Sequence, residues 1–434
     1  MNYREAIDFL FSSLPMYQRE GKAAYKTNLD NTLRLDQYFG HPHRKYPAIH
    51  VAGTNGKGSV SHMLASALQH AGYRTGLYTS PHLLDFRERI RISGIPIPEK
   101  EVTGFVNDHS GIIREISPSF FEMTVAMALD HFAREKVDIA VIETGMGGRL
   151  DSTNVITPLL CVITNISPDH TEFLGNDLTS IAREKGGIIK SRVPLVLGKM
   201  EKSPEHVLTT MAAEKGAPVI LARNLFRPVF HTYNPDGLSI IRMQDRSSGG
   251  VEPIECDLGG DYQQENLATA LSAVTCLREL GWDLPDTAVK KGLNSVAEST
   301  GLMGRWQVLG SNPRSICDTA HNRAGIEAVF KQVMQIPWKE LHVVWGMVSD
   351  KDLRSIFPLL PERASYYFTR SVVPRSMDPG LLQEAAVQHG LSGRVFPSVK
   401  EAYEAALERA GNDDMILTAG STFVVADLLL ALGY

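Results

Sequence analysis

The chain has 434 residues, which at about 100–200 residues per domain predicts two or three domains. Its 43% hydrophobic and 21% charged residues exclude a fibrous or intrinsically disordered chain. The 44 Lys and Arg against 49 Asp and Glu, a formal net charge of -5, exclude a bulk electrostatic footprint for nucleic acid or an anionic membrane. Cys161, Cys256, Cys276 and Cys317 are scattered without a C-x-x-C pair, so buried reduced thiols are expected rather than a disulfide framework or a cysteine zinc site. The opening MNYREAIDFLFSSLP carries Glu5 and Asp8 and has no signal-like apolar stretch, and no apolar run reaches the length of a membrane span. A cytoplasmic monomer with no nucleic-acid or membrane partner is the expectation.

Short apolar runs at 48–52, 76–79, 138–144, 159–165 and 194–198 predict strands, as does a later series at 315–318, 341–346, 366–369 and 415–419. Amphipathic windows lie between them. In the 60–71 window Val60, Met63, Leu64, Ala67, Leu68 and Ala71 share one helical face, and 120–132 is a second such window. Strand–helix alternation of this kind predicts an α/β protein with parallel sheets covered on both faces. The turn-rich stretch 224–257 breaks the rhythm and predicts an antiparallel meander or loops before a helix at 264–281. The polar, glycine-bearing stretch 294–304 then separates a first domain, 1–300, from a second, 301–434.

In open parallel sheets ligands bind beyond the carboxyl ends of the strands, so the residues after each predicted strand carry the candidate chemistry. The first strand runs into Gly53-Thr54-Asn55-Gly56-Lys57-Gly58-Ser59 and then a helix. This departs twice from the phosphate-loop spelling G-x-x-x-x-G-K-[ST]: Val51 stands in the first glycine slot, and Gly58 in the hydroxyl slot, one place before Ser59. Its place at a strand–helix junction favours a phosphate cradle over a tight turn with a solvated lysine. After the second strand comes Thr79-Ser80-Pro81-His82, where Ser80 reads as a turn residue or as a hydroxyl donor to magnesium, and then Arg87, Glu88 and Arg89. The third strand ends at Glu143, ahead of Thr144-Gly145-Met146-Gly147-Gly148-Arg149. A dinucleotide fingerprint fails there at Leu150, and an acidic residue at the strand end suits magnesium better. His170 follows the fourth strand. If the third and fourth strands are neighbours, Glu143 and His170 can share one magnesium with nucleotide oxygens. Lys185, in the 178–190 helical window, reads by itself as a surface lysine. Asp318-Thr319-Ala320-His321-Asn322 follows a strand of the second series, with Arg305 upstream.

The motifs HVAGTNGKGSV, LYTSPHL with RERI, VIETGMGGRLDSTN, TNISPDH, EKGGIIK, GRWQ and DTAHN run nearly end to end in this order. Together they resemble the folylpolyglutamate synthase and dihydrofolate synthase family of the Mur ligase superfamily, whose phosphate loops read G-T-N-G-K-G-S. The resemblance implies an N-terminal P-loop ATPase-like domain, a smaller Rossmann-like C-terminal domain that binds glutamate, and an active site in the cleft. It implies that Thr54, Asn55, Gly56, Lys57, Gly58 and Ser59 cradle ATP, with Asn266, Arg305 and Asp318 as further ATP contacts. It implies Mg2+ on Ser80, Glu143 and His170, and carbamylation of Lys185 to N6-carboxylysine. Lys57, His170, Lys185 and His321 are the implied catalytic residues, and His321, with Ser421 as a weaker candidate, the implied glutamate contacts. The family's usual proline after A-H-N is Arg323 here.

The activity implied is ATP-dependent amide formation between L-glutamate and dihydropteroate, or the γ-carboxylate of reduced folate polyglutamates, through an acyl phosphate. A carboxylate is a poor electrophile at neutral pH, and phosphorylation supplies the leaving group that glutamate displaces. Residues 25–30 and 119–122 are where pterin contacts are expected. Three alternatives stay open: a monofunctional folylpolyglutamate synthase, a Mur-type ligase of a UDP-linked peptide, and a P-loop ATPase that ligates nothing.

Overall fold

The structure is a computed structural model, and it describes residues 1–14, 28–169, 171–175, 177–234, 238–349 and 351–434. Two compact units form. The first comprises 1–257 and 263–302, and the second 258–262 and 303–434.

In the first unit the apolar runs become β1 (Ala48–Ala52), β2 (Thr75–Tyr78), β3 (Ile90–Ile92), β4 (Ile95–Pro96), β5 (Ile139–Glu143), β6 (Leu160–Ile163), β7 (Leu195–Leu197) and β8 (Val219–Leu221). They form one sheet in the order β4-β3-β2-β5-β1-β6-β7-β8. From β2 to β8 every pairing is parallel, and β3 and β4 add an antiparallel edge. Every residue of β1, β5 and β6 is buried, as strands covered on both faces require. The third and fourth predicted strands are not neighbours. β1 lies between β5 and β6, with Val51 in register with Glu143 on one side and Val162 on the other. At about 4.8 Å per strand spacing, the ends of β5 and β6 flank the loop after β1 at about 10 Å from each other.

Five helices bear on the site: α1 (Lys57–His70), α2 (Phe120–Arg134), α3 (Leu178–Gly186), α4 (Gln263–Glu279) and α5 (Asp286–Asn294). The expected stripe on α1 is too narrow, because every residue from Ser59 to Leu68 is buried. α4 and α5 both pack against α1, and the Ser66 hydroxyl donates to the Gly292 carbonyl at 2.7 Å. α2 opens with a capping box between Ser119 and Glu122, which gives the 119–122 segment a helix-capping role. α3 stops at Gly186 instead of continuing to 190, and the Gly187 N–H turns back to Glu184 O. Stretch 224–257 includes the three antiparallel strands β9 (Phe226–Tyr233), β10 (Ser239–Asp245) and β11 (Val251–Cys256).

The second unit carries β12 (Gln307–Ser311), β13 (Arg314–Cys317), β14 (Leu341–Trp345), β15 (Ala364–Phe368), β16 (Gly393–Val395) and β17 (Met415–Ala419). Their order is β12-β13-β17-β14-β15-β16, parallel except for the β12–β13 pair. Its core gathers Trp345, Tyr366, Phe368 and Leu417, with Tyr262 packed against it. Among the described residues no helix is long and apolar enough to cross a membrane.

Candidate functional site

β2, β5, β1 and β6 are contiguous in the first sheet, so their carboxyl ends line up. After β1 the chain turns through residues 53–56 into α1. Gly56 caps the helix at φ 82°, in the left-handed region, and a Cβ there would lie 2.1 Å from Asn266 Oδ1. Only glycine meets both conditions. The loop is tied to the end of β6: the Thr54 and Asn55 amides donate to Asn165 O at 3.0 Å and Asn165 Oδ1 at 2.9 Å. The Thr54 hydroxyl donates to Ser167 O at 3.0 Å. The amides of Lys57, Gly58 and Ser59 form the first turn of α1, where no intrahelical acceptor exists and the helix dipole favours an anion.

Two lysines converge on one carbonyl of this loop. Lys57 Nζ donates to Gly53 O at 3.0 Å and Thr54 O at 3.2 Å, and Lys185 Nζ donates to the same Gly53 O at 2.8 Å. Lys185 is 3% exposed, which corrects its reading as a surface residue. Burial first, and then the Lys57 charge, pull its pKa from 10.5 down to about 7. Gly148, after β5, makes room for this lysine's helix: a Cβ there would sit 2.6 Å from Lys185 O. Arg149 N–H donates to Glu184 O at 2.7 Å across the same contact. Gly148 therefore serves a helix–loop packing, while a Cβ on Gly145 would meet the Phe121 ring.

Glu143, the last residue of β5, is 4% exposed, and its Oε2 accepts the Ser80 N–H at 3.1 Å. β2 and β5 are paired, with Tyr78 opposite Ile142, so Ser80 and Glu143 follow directly from the register. Ser59 is placed differently. Its hydroxyl is buried and accepts from Gln263 Nε2 at 3.2 Å, and Gln263 Oε1 in turn accepts from Asn266 Nδ2 at 2.8 Å. Sequence reasoning missed Gln263, 204 positions from its partner, and no local signal marks it. Arg89 is a second group left unassigned. This 2%-exposed guanidinium lies over the Phe120 ring and donates from Nε to His82 Nδ1 at 2.7 Å. Burial and the neighbouring Arg89 charge hold His82 well below the usual imidazole range, so it is neutral and accepts.

Thr54, Asn55, Gly56, Lys57, Gly58, Ser59, Ser80, Glu143, Lys185 and Asn266 thus all belong to the first unit. His170, and residues 25–27 of the expected pterin segment, lie outside the described residues. Arg305, Asp318, His321 and Ser421 belong to the second unit. Asp318 follows β13, and Ser421 follows the adjacent β17. Both carboxylate oxygens of Asp318 are engaged: Oδ2 accepts from Tyr262 Oη at 2.5 Å and Trp306 N at 2.8 Å, and Oδ1 from Ala320 N at 2.8 Å. Burial raises its pKa. Trp306 holds φ 47°, an outlier for a bulky residue. Neither Tyr262 nor Trp306 was singled out from the sequence. Arg305 Nη1 donates to Gly304 O at 3.3 Å. His321 Nδ1 lies 3.0 Å from Thr319 O, and the buried Ser421 hydroxyl accepts from Phe423 N as a helix cap.

Residues 51–274 match the Mur ligase middle domain, and residues 304–422 the Mur ligase glutamate ligase domain. The chain is 32% identical over 417 residues to the dihydrofolate synthase/folylpolyglutamate synthase of Bacillus subtilis strain 168, covering 94% of this chain and 95% of that one. It is 31% identical over 440 residues to a probable bifunctional folylpolyglutamate synthase/dihydropteroate synthase of Haloferax volcanii. That alignment takes in 98% of this chain but spans only 50% of the longer protein. The crystal structure of Mycobacterium tuberculosis folylpolyglutamate synthase complexed with ADP and AMPPCP matches with a TM-score of 0.89 at 29% identity, over 100% of this chain and 99% of that one. The chain belongs to the folylpolyglutamate synthase/dihydrofolate synthase family of the Mur ligases.

Proposed function

We propose that the chain is an ATP-dependent ligase that joins L-glutamate to dihydropteroate, to the γ-carboxylate of reduced folate polyglutamates, or to both, giving ADP and phosphate. The observation that carries this reading is the convergence of Lys57 and Lys185 on the Gly53 carbonyl, at the anion-binding end of α1. In the reaction the first-turn amides of α1 and Lys57 hold the phosphates and offset charge on the transferring phosphoryl group. Asn266 fixes the loop by packing on Gly56. In the second unit, Arg305 and Asp318 are assigned to ATP, and His321, with Ser421, to glutamate.

Glu143 and the Ser80 hydroxyl, on neighbouring strand ends, are hard oxygen donors that fit magnesium, with His170 as the third proposed ligand. Bound there, magnesium would neutralise phosphate charge. Lys185, whose pKa burial pulls down to about 7, supplies the unprotonated amine that carbamylation by carbon dioxide requires, and the N6-carboxylysine would place an anion beside Lys57. The proposal includes a cytoplasmic, monomeric enzyme, and the four buried free cysteines support a reducing compartment.

The test is ADP release by the purified chain with ATP, magnesium and glutamate, offering dihydropteroate and tetrahydrofolate in separate assays. Release that requires glutamate and either acid supports the ligase, and the acid accepted separates single from dual activity. Release without any acceptor would leave a plain ATPase, and turnover of neither acid would remove the folate assignment.

A further inference from the structure

Away from the strand ends just described, Asp36, His41 and His43 present three metal-ligating atoms within 4.8 Å of one another. Asp36 lies in the last turns of the helix Asp30–Tyr38, and the histidines flank Pro42 in the turn that leads to β1. His41 Nδ1 stands 2.5 Å from Asp36 Oδ2, and His43 Nε2 stands 3.4 Å from Asp36 Oδ1. Three features set this group apart from a chance cluster. Asp36 is 8% exposed, and among the described residues its buried Oδ1 accepts no well-formed hydrogen bond and faces only the His43 imidazole at 3.4 Å. His41 adopts φ 54° and ψ 58°, a left-handed conformation for a residue that is not glycine, and both imidazoles face the one carboxylate. The His43 side chain is 7% exposed while that of His41 is 38% exposed, so the group is walled on one side and open to solvent on the other.

We infer that Asp36, His41 and His43 form a binding site for a divalent cation of the zinc class, separate from the nucleotide site. Two imidazoles and one carboxylate suit zinc, cobalt or nickel over magnesium. With metal–nitrogen bonds of about 2.0–2.1 Å, ligand atoms in a tetrahedral site stand about 3.3 Å apart, close to the Asp36–His43 separation. The cation sits between Oδ1 and His43 Nε2, replaces the His41–Asp36 hydrogen bond and keeps one position for water. It clamps the helix Asp30–Tyr38 to the turn preceding β1, at the end of that strand opposite the phosphate loop. A second acid–histidine group, Glu340, His342 and Asp414, lacks this character: Asp414 Oδ1 and Oδ2 already accept backbone N–H groups of Glu340 and Gly411 at 2.9 and 2.6 Å.

The test uses the full-length, tag-free chain, stripped with a chelator and titrated with zinc against a competing indicator. The wild type is expected to bind one equivalent that magnesium does not displace, and cobalt loading is expected to give the intense visible bands of a four-coordinate site. His41→Asn changes an exposed side chain, and asparagine tolerates the left-handed backbone, so folding is retained. This variant should lose at least about tenfold in zinc affinity, as even outer-shell partners of metal ligands do, together with the cobalt bands. Glu143→Gln should keep both. Absence of a tight equivalent in the wild type would overturn the inference, and so would unchanged binding in His41→Asn or a loss confined to Glu143→Gln.

Discussion

Lys185 is the lysine of the candidate site whose protonation departs from its unperturbed state. Its pKa is about 7 in the folded chain against 10.5 unperturbed, so between those values the unfolded chain holds one more proton than the folded one. Stability therefore rises with pH across that window, by about 1.4 kcal/mol per pH unit from this group alone, and is reduced as pH falls towards 7. Urea midpoints at pH 7.5 and 9.5, in buffer freed of carbon dioxide, should separate more in the wild type than in Lys185→Met. An equal separation would mean that Lys185 is solvated. The two serines of the site invite a similar comparison. Ser59 spends its hydroxyl on Gln263, whereas Ser80 stands beside Glu143. Ser80→Ala is expected to raise the magnesium concentration for half-maximal turnover several-fold. Ser59→Ala should leave that concentration unchanged and cost about 1 kcal/mol of stability from the lost hydrogen bond. Titration of both variants with magnesium reads the order, and the reverse order would move the metal to the α1 hydroxyl.

At the scale of elements, α1 is shaped by what covers it. α4 brings Gln263 and Asn266 onto the first turn of α1, and both the close approach and the left-handed φ at Gly56 follow from that packing. Gly56→Ala should cost about 1–2 kcal/mol for the left-handed backbone and more for the displaced Asn266. ADP affinity should fall by at least about tenfold, or about 1.4 kcal/mol. The double variant with Asn266→Ala should be less destabilised than the two single changes added together, since one clash is shared. Strict additivity in denaturant titrations would show that backbone strain alone is at work. None of this was readable from the α1 pattern, where the apolar spacing marks one face and burial extends all round. The central strands were legible because parallel strands covered on both faces are continuous apolar runs. β3, β4, β8 and β16 have only two or three residues, too few to show a period. The order β5-β1-β6 comes from crossover connections, which leave no mark in local spacing.

At the scale of the whole molecule, the strand-end motifs supplied the candidate residues, while their neighbours had to come from the fold. The convergence of Lys185 and Lys57 joins positions far apart in sequence, and so does the pairing of Ser59 with Gln263. The expected division at 300/301 makes the second unit a continuous segment, whereas the structure adds residues 258–262 to it. This strap is tied to the unit by three contacts: Tyr262 donates its hydroxyl to the buried Asp318, the Asp261 N–H donates to Gln332 Oε1 at 2.7 Å, and Gly259 meets Trp306 so closely that a Cβ would lie 2.7 Å from the indole. A fragment 303–434 therefore lacks one of the three donors to a carboxylate that is 3% exposed, and uncovers Trp306. An unsatisfied buried group costs about 1–3 kcal/mol. The fragment is expected to unfold at lower denaturant than the same fragment with 258–262 fused through a glycine–serine linker. Tyr262→Phe in the fused version should return part of the difference, the remainder belonging to the Asp261–Gln332 hydrogen bond and the Trp306 contact. Equal midpoints with and without the strap would show that 303–434 is a self-sufficient unit and that the Asp318 contacts carry no stability.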